Sequence, residues 1–367
     1  MPGQETTGAT RAIAAYDAMQ RALYIDDGRG LYLEEATRES AVAFVWPFSR
    51  ALLGTLCLAG VPEHGAAYRR AVEDRMKALD RYWTGKAYAS AVVPPGGDIY
   101  YDDNAWVALS LVLAYRLGLT RGLSRPKQLF SFATPAWDRV ASDPCPGGVF
   151  WVQQGTGYGL SNHDRGTGCT AGSAEVGFHL HELSRSPTTE DATRMVSWVA
   201  DCLDRSHSGS GPFLNVVRRD GSVDTNIWSY NQGVMLGARV LQYRLTHEPA
   251  YLDTAEDIAK QTLSTFDDFE NHPPSFNAMC FQNMLMLHAA SSDAQLKSRM
   301  LRAMHHYADW AWDPRTGARD EASDLFYFDD GGRPARGAQP ARVQDQGAMT
   351  QLYALLAWDA DDYARLT

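Results

Sequence analysis

Two adjacent aspartates, Asp102 and Asp103, lie in the stretch YYDDNAWVAL, between two tyrosines and a long apolar run. Two carboxylates in contact repel each other and lose hydration when they are buried, so such a pair rarely stabilises a fold. The same repulsion keeps one of the two protonated near neutral pH. A protonated carboxyl beside an ionised one can carry out acid/base and nucleophilic catalysis, and the pair is therefore a candidate catalytic site.

Four other Asp-Asp pairs occur in the chain, so the position of each pair has to be considered. Asp26-Asp27 and Asp329-Asp330 precede glycines, and Asp361-Asp362 lies near the C-terminus, which is typical of turns and solvated ends. Asp267-Asp268 follows a segment predicted to be an outer helix. Only Asp102-Asp103 stands at the start of a helix predicted to be buried.

The elements that position the pair are predicted to be helices, because apolar residues recur at i, i+3, i+4 and i+7 between clusters of Gly, Pro, Asn and Asp. Twelve helices are predicted, at residues 9–25, 40–60, 64–82, 103–118, 122–142, 169–184, 188–207, 229–246, 249–265, 276–291, 293–312 and 344–358. The even-numbered ones are rich in Gly, Ala and Leu on most sides, whereas the odd-numbered ones carry charge on one face. This alternation predicts an all-α protein, a single (α/α)6 barrel (toroid) of six inner/outer helical hairpins over residues 1–367.

In such a barrel the inner helices run parallel, so their N-termini gather at one mouth. The residues close to these starts are Trp46 and Pro47, Asp102 and Asp103, Thr170 and Ser173, Tyr230 to Gln232, Phe276 and Asn277, and Asp345 and Gln346. A helix N-terminus favours a negative group by about 0.3 to 1 kcal/mol, which suits carboxylates at this mouth.

Composition and charge exclude several classes of partner. The formal net charge is -10 and no Lys/Arg cluster occurs, which argues against nucleic acid and against an anionic membrane surface. No stretch of about 18 apolar residues and no signal peptide is present, so we expect no membrane insertion and a cytoplasmic protein, or a secreted one if the sequence is trimmed. No histidine spacing suits a zinc site, and we expect neither a metal nor a cofactor. The five scattered cysteines are expected to be free buried thiols, with a Cys145–Cys169 disulfide as an alternative.

Four spaced motifs resemble glycoside hydrolase family 76: YYDDNAW, GGVFW (residues 147–151), WSYNQGVMLGA (residues 228–238) and QDQGAMTQLYALLAW near the C-terminus. The resemblance covers roughly residues 40–358. Members of that family are (α/α)6-barrel α-1,6-mannanases, and adjacent aspartates in the second hairpin are their catalytic pair. The resemblance therefore implies a glycoside hydrolase that cleaves α-1,6-mannosidic linkages in α-mannan or manno-oligosaccharides.

By that resemblance Asp102 is the nucleophile and Asp103 the general acid/base of a retaining hydrolysis. The same resemblance and the helix starts suggest a substrate-binding set made of Trp46, Tyr101, Trp151, Tyr230, Asn231, Asp345 and Gln346. An inverting reaction stays open, because adjacency does not fix the separation of the carboxyl groups. The segment CTAGSAEV, where a Lys-Asn-Ala segment is expected, puts Thr170 and Ala174 in place of amide contacts and leaves the sugar specificity open.

Structural roles are alternatives for many of these residues. Trp46, Trp106 and Trp151 can be core aromatics, Tyr230 and Asn231 an N-terminal cap, and Asp345 and Gln346 a cap and a loop anchor. Glu175 can be a second polar group in the pocket or a buried acid. Other functions also stay open: a different carbohydrate-active enzyme on the same toroid, such as another α-glycosidase, an unsaturated-uronide hydrolase or an epimerase, or a non-catalytic sugar-binding relative.

Overall fold

The computed structural model describes residues 7–137, 145–153, 163–267 and 269–367. It divides into two compact units. Unit 1 comprises Met1–Arg81, Asp268–Ala278 and Arg302–Tyr363, and unit 2 comprises Tyr82–Asp267, Met279–Leu301 and Ala364–Thr367. Each unit is described separately below, and the single domain over residues 1–367 stays a prediction.

The prediction of an all-α fold is confirmed, since helices dominate the described residues. In chain order they are α1 (Gly8–Leu23), α2 (Val45–Ala59), α3 (Arg69–Leu79), α4 (Tyr101–Arg116), α5 (Ser124–Ala133), α6 (Thr167–Ser184), α7 (Thr189–Cys202), α8 (Ser229–Thr246), α9 (Pro249–Thr265), α10 (Pro274–Ala290), α11 (Ala294–Trp312) and α12 (Val343–Leu355). Three two-residue strands, β1 (Arg165–Gly166), β2 (Val216–Val217) and β3 (Val223–Asp224), form a small antiparallel sheet in the order β1-β2-β3. Its register pairs Arg165 with Val217 and Val216 with Asp224.

The twelve helices match the predicted ones, and the differences lie at the helix ends. Helix α2 begins at Val45 rather than residue 40, which places Pro47 in the first turn, where a missing backbone N–H costs little. Helix α5 ends at Ala133 and a 3-10 turn containing Pro135 follows it. The predicted end of this helix, residues 138–142, lies outside the described residues.

In unit 1, α12 packs against α2 and α1, and α2 packs against α3. Facing glycines bring α2 and α12 together: a Cβ on Gly54 would lie 2.5 Å from the Gly347 carbonyl oxygen, and one on Gly347 2.5 Å from the Arg50 carbonyl carbon. Small residues on the inner helices therefore permit close backbone approach, as the sequence pattern predicts.

In unit 2 the mostly buried helices α4, α6 and α8 pack in that order, and each also packs against the helix that follows it, α5, α7 and α9. Gly172 of α6 lies under the ring of Trp106 of α4, where a Cβ would be 3.0 Å from the ring. Trp106 is buried at this contact, in agreement with its predicted role in the core. The inner/outer hairpin is thus the repeating element of unit 2.

A polar side chain at the fourth residue of five inner helices binds the backbone of the loop before that helix. In α4, α8 and α12 a side-chain amide accepts from the backbone N–H of an aromatic residue and donates to the C=O of the same residue, at 2.7 to 3.0 Å. The pairs are Asn104 with Tyr88, Gln232 with Phe213, and Gln346 with Phe326. In α10 the Asn277 amide donates to the Phe269 carbonyl at 2.8 Å. In α6 the fourth residue is Thr170, whose hydroxyl accepts from the Val149 N–H at 3.0 Å. These bonds fix the loops that precede the inner helices.

The pairing of two of the five cysteines differs from the prediction of free thiols. Cys145 forms a disulfide with Cys202 at the end of α7, while Cys57, Cys169 and Cys280 are free and buried. The partners are 57 residues apart in sequence, and spacing alone does not indicate which cysteines the fold brings together. No helix within the described ranges has an apolar stretch long enough to cross a membrane.

Candidate functional site

Asp102 and Asp103 lie in the first turn of α4, and both are partly exposed. The Asp103 backbone N–H donates to Oδ1 of Asp102 at 3.0 Å, and the indole Nε1–H of Trp151 donates to Oδ2 of Asp102 at 3.0 Å. Desolvation raises the pKa of Asp102 to about 6, while these two hydrogen bonds oppose that rise. Asp102 is therefore a carboxylate with a donor on each oxygen, ionised above a pH of about 6.

The loop that carries Trp151 is held to the start of α6. Thr170 accepts the Val149 N–H at 3.0 Å, and the Cys169 thiol donates to the Val149 carbonyl at 3.1 Å. These two side chains of the CTAGSAEV segment thus make the pair of bonds that a single amide makes in α4, α8 and α12. The backbone contact that an amide makes in those three helices is thus also present in α6.

Tyr230 and Asn231 lie at the start of α8 and share an acceptor. The Tyr230 hydroxyl and the Asn231 amide N–H each donate to Oδ1 of Asn215 at 3.2 Å. The Tyr230 ring packs over Gly168, where a Cβ would be 2.8 Å from the ring, and meets Trp106 edge to face at 6.1 Å. Asn231 is fully buried, and within the described residues its Oδ1 has no hydrogen-bond partner.

Tyr101 packs against α5. Its side chain is 7% exposed and its ring stacks on Phe132 of α5 with centroids 4.9 Å apart. Its backbone N–H donates to the Trp151 carbonyl at 2.9 Å. The structure thus gives Tyr101 a role in packing and in holding the Trp151 loop, and gives no support to its predicted place in the sugar-binding wall.

Three of the candidate residues lie in unit 1, at the starts of α2 and α12. Trp46 is half-buried, with the Arg50 guanidinium 4.4 Å from its ring centroid. Asp345 is buried, and its Oδ2 accepts from Arg342 Nε at 2.9 Å, while its Oδ1 has no partner among the described residues. Burial raises the pKa of Asp345 to about 6, and the charge of Arg342 opposes that rise. Gln346 binds the Phe326 backbone with both ends of its amide, which fits the loop-anchor alternative.

Several residues near these groups were not predicted from the sequence. Phe44 precedes α2 with 49% of its side chain exposed, and its N–H donates to Glu34 at 2.9 Å. Asn215 joins Tyr230 to Asn231, and Arg342 holds Asp345. The available sequence signal for Phe44 was an aromatic residue two positions before Trp46, whereas loop residues such as Asn215 give no periodic signal.

Glu175 is fully buried in α6, and neither of its carboxyl oxygens has a hydrogen-bond partner within the described part of the chain. Gly237 of α8 leaves room for it: a Cβ there would lie 2.3 Å from Glu175 Oε1 and 2.0 Å from Oδ1 of Asn283. Burial raises the pKa of Glu175 well above its ordinary value, which favours the protonated form. The alternative of a buried acid therefore describes Glu175 better than that of an exposed pocket group.

No group of three or more His, Cys, Asp or Glu side chains suited to a metal ion occurs in the ranges that the structure describes. The polar groups around Asp102 include Trp151, Asp103 and, further off, the neutral Tyr100, Cys169 and Tyr230. This arrangement can supply an ionised carboxylate and an adjacent second carboxyl group.

Comparison with known proteins gives a family match. The family model described as Glycosyl hydrolase family 76 matches residues 13–322. A search of curated proteins gives no significant match.

Solved structures with the same fold include a family 76 glycoside hydrolase from a bovine Bacteroides thetaiotaomicron strain, 21% identical with a TM-score of 0.81, covering 96% of this chain and 78% of that one. A family 76 mannosidase from Bacteroides thetaiotaomicron VPI-5482 is 19% identical with a TM-score of 0.79, covering 95% and 98%. A third is an inactive variant of the family 76 α-1,6-mannanase of Salegentibacter sp. HEL1_6, with two consecutive aspartates replaced by asparagine, in complex with α-1,6-mannotriose. It is 15% identical with a TM-score of 0.77, covering 95% and 99%.

Proposed function

Because the chain belongs to glycosyl hydrolase family 76, we propose that it hydrolyses α-1,6-mannosidic linkages in α-mannan or manno-oligosaccharides. Family membership makes it a glycoside hydrolase, and the structures that share its fold include mannan-active enzymes. The proposal adds the linkage, the catalytic residues and retention of configuration.

The observation that carries the proposal is the pair of hydrogen bonds to Asp102. A donor on each carboxylate oxygen favours the ionised form and fixes the orientation of the group, both of which a nucleophile needs. Asp103, one residue on, is then the general acid/base. The α-1,6-mannanase of Salegentibacter that was made inactive at two consecutive aspartates supports the same assignment.

The reaction proceeds in two steps. A carboxylate oxygen of Asp102 attacks the anomeric carbon while the bond from that carbon to the glycosidic oxygen breaks, and Asp103 gives its proton to the departing oxygen. In the second step Asp103 takes a proton from water, the water oxygen bonds to the anomeric carbon, and the carboxylate of Asp102 leaves. Two inversions at one carbon give net retention.

The sugar contacts proposed for each unit follow from the partial exposure of aromatic rings. Three half-buried rings each offer a face or an edge to a sugar: Trp151 and Tyr230 in unit 2, and Trp46 in unit 1. Aromatic faces stack well on pyranose rings. The Oδ1 atoms of Asn231 and Asp345 lack partners among the described residues but are buried, and their contact with sugar hydroxyl groups stays a prediction. Tyr101 and Gln346 are proposed to act by holding backbone in place.

The experiment is an incubation with α-1,6-mannotetraose followed by proton NMR from the first minutes. We expect the new reducing end to form as the α-anomer and to equilibrate with the β-anomer later. Initial formation of the β-anomer would establish inversion and remove the nucleophilic role of Asp102. If no product forms from any α-1,6-manno-oligosaccharide, the proposed linkage is wrong.

A further inference from the structure

The backbone of Trp151 is hydrogen-bonded at both its N–H and its C=O group. Its backbone N–H donates to the Asp164 carbonyl at 2.7 Å, and its own carbonyl accepts from the Tyr101 N–H at 2.9 Å. Two residues earlier in the loop, Val149 is bound by Cys169 and Thr170. The indole ring also lies against Tyr100, with centroids 5.6 Å apart. The position of Nε1 relative to α4 is therefore set by the fold before any sugar binds.

An indole Nε1–H is a donor only. A hydrogen bond from it to Asp102 strengthens when the carboxylate is ionised and weakens when an Asp102 oxygen carries a proton or a sugar. Removal of this donor therefore raises the proton affinity of Asp102. If Trp151 served only as a platform, meaning a ring on which a sugar stacks, its aromatic face would suffice and the N–H donor would not be needed.

We propose that Trp151 is a positioning residue that keeps Asp102 ionised and correctly oriented, and that it thereby selects Asp102 rather than Asp103 as the nucleophile. The catalytic part of this inference rests on the proposed function, whereas the hydrogen bond itself does not. In the two-step reaction the indole keeps its proton throughout. It stabilises the carboxylate that attacks in the first step and the carboxylate that is released in the second.

The titratable groups that face Asp102 decide whether its protonation can be followed by a pH titration. They are Asp103 on the same helix, Tyr100 before it, Cys169 on α6 and Tyr230 on α8. Burial raises the pKa of Tyr100 to about 12 and that of the Cys169 thiol to about 12, and raises that of Tyr230 further. All three are neutral near pH 6. Asp98 beside Tyr100 and His163 beside Phe150 are further titratable groups near the loop, so the Asp102→Asn and Asp103→Asn variants are needed to assign a change in that region.

The first test needs no substrate. In protein labelled with ¹⁵N-tryptophan, the indole N–H resonance of Trp151 is identified by its absence from Trp151→Phe. We expect this resonance to shift with pH about a midpoint near 6, the pKa of Asp102, and to lose that transition in Asp102→Asn but retain it in Asp103→Asn. An indole resonance that does not titrate, or that loses its transition only in Asp103→Asn, would overturn the proposal. If the phenylalanine variant does not fold, Trp151→Tyr identifies the resonance instead.

The second test is the pH dependence of kcat/KM on α-1,6-mannotetraose. Trp151→Phe keeps a six-membered aromatic ring but removes the N–H donor together with part of the indole surface. The acidic limb should move up by about one pH unit because a hydrogen bond to a charged group is lost. Trp83→Phe is the matched control, since Trp83 packs on Arg125 and Tyr88 in the same unit, and should leave the limb unchanged.

A changed KM with an unmoved acidic limb in Trp151→Phe would make Trp151 a sugar platform and contradict the inference. If the wild-type protein does not hydrolyse the tetrasaccharide, the proposed function fails. The indole titration still decides the position of the hydrogen bond in that case.

Discussion

The hydroxyl of Thr170 accepts the backbone N–H of Val149 at 3.0 Å, and this bond joins the start of α6 to the loop that carries Trp151. It occupies the place that Asn104, Gln232 and Gln346 occupy in α4, α8 and α12. The neighbouring Cys169 supplies the second bond, to the Val149 carbonyl. The Cys-Thr pair is thus an equivalent of one amide.

Thr170→Val should destabilise the protein, because it removes the acceptor and leaves the N–H of the buried Val149 unpaired. Such a loss costs about 1 to 3 kcal/mol in the free energy of unfolding. Thr170→Ser is the matched control, since it keeps the hydroxyl and loses one methyl group, worth about 0.8 kcal/mol. Urea unfolding measures both, and a valine variant as stable as the serine variant would show that the bond contributes nothing.

Glu175→Gln should change how stability depends on pH. Burial raises the pKa of Glu175 in the folded state, so its contribution to stability is fully present below the ordinary pKa of glutamate and is lost as pH rises toward the folded-state pKa. Each pH unit in that window costs the wild type about 1.4 kcal/mol from this group alone. The glutamine variant should therefore gain stability relative to wild type between pH 5 and pH 7.

Glu190→Gln, a change at an exposed position in α7, is the control for this comparison. Its stability relative to wild type should vary much less over the same pH range. A constant difference between Glu175→Gln and wild type would mean that Glu175 is ionised in the folded protein, with a partner supplied by solvent or by an ion.

Reduction of the Cys145–Cys202 disulfide should lower the free energy of unfolding. The bond closes a loop between residues 57 apart, which in the chain-entropy treatment corresponds to about 4 kcal/mol. Thermal unfolding with and without dithiothreitol measures the effect. The double variant Cys145→Ser with Cys202→Ser should not respond to the reductant, and a wild type that does not respond either would contradict the pairing.

The helices could be predicted from sequence because each inner helix buries nearly all of its circumference and each outer one has a charged face. The boundaries of α8 and α9 agree with the predicted ones, where apolar periodicity stops at clear polar residues. The end of α7 was predicted too late: the helix ends at Cys202, the residue that forms the disulfide with Cys145. A long-range covalent bond has no signature in local periodicity.

The location of the Asp pair was also predictable, because two carboxylates in the first turn of a buried helix conflict with packing. The direction of Tyr101 and the contact of Trp151 were not predictable. The sequence around an aromatic residue next to a carboxylate does not show whether its ring faces a sugar, the core or the carboxylate. Only the rotation of α4 and the path of the loop distinguish these cases.

The most direct test of the central claim is the turnover of α-1,6-mannotetraose by Asp102→Asn and Asp103→Asn, with Asp26→Asn, a change at an exposed aspartate, as the matched control. We expect each of the first two variants to lose several orders of magnitude in kcat with an unchanged circular dichroism spectrum, since the nucleophile and the acid/base supply much of the rate. The control should retain wild-type activity. Turnover within tenfold of wild type in either Asp102→Asn or Asp103→Asn would contradict the assignment of the catalytic pair.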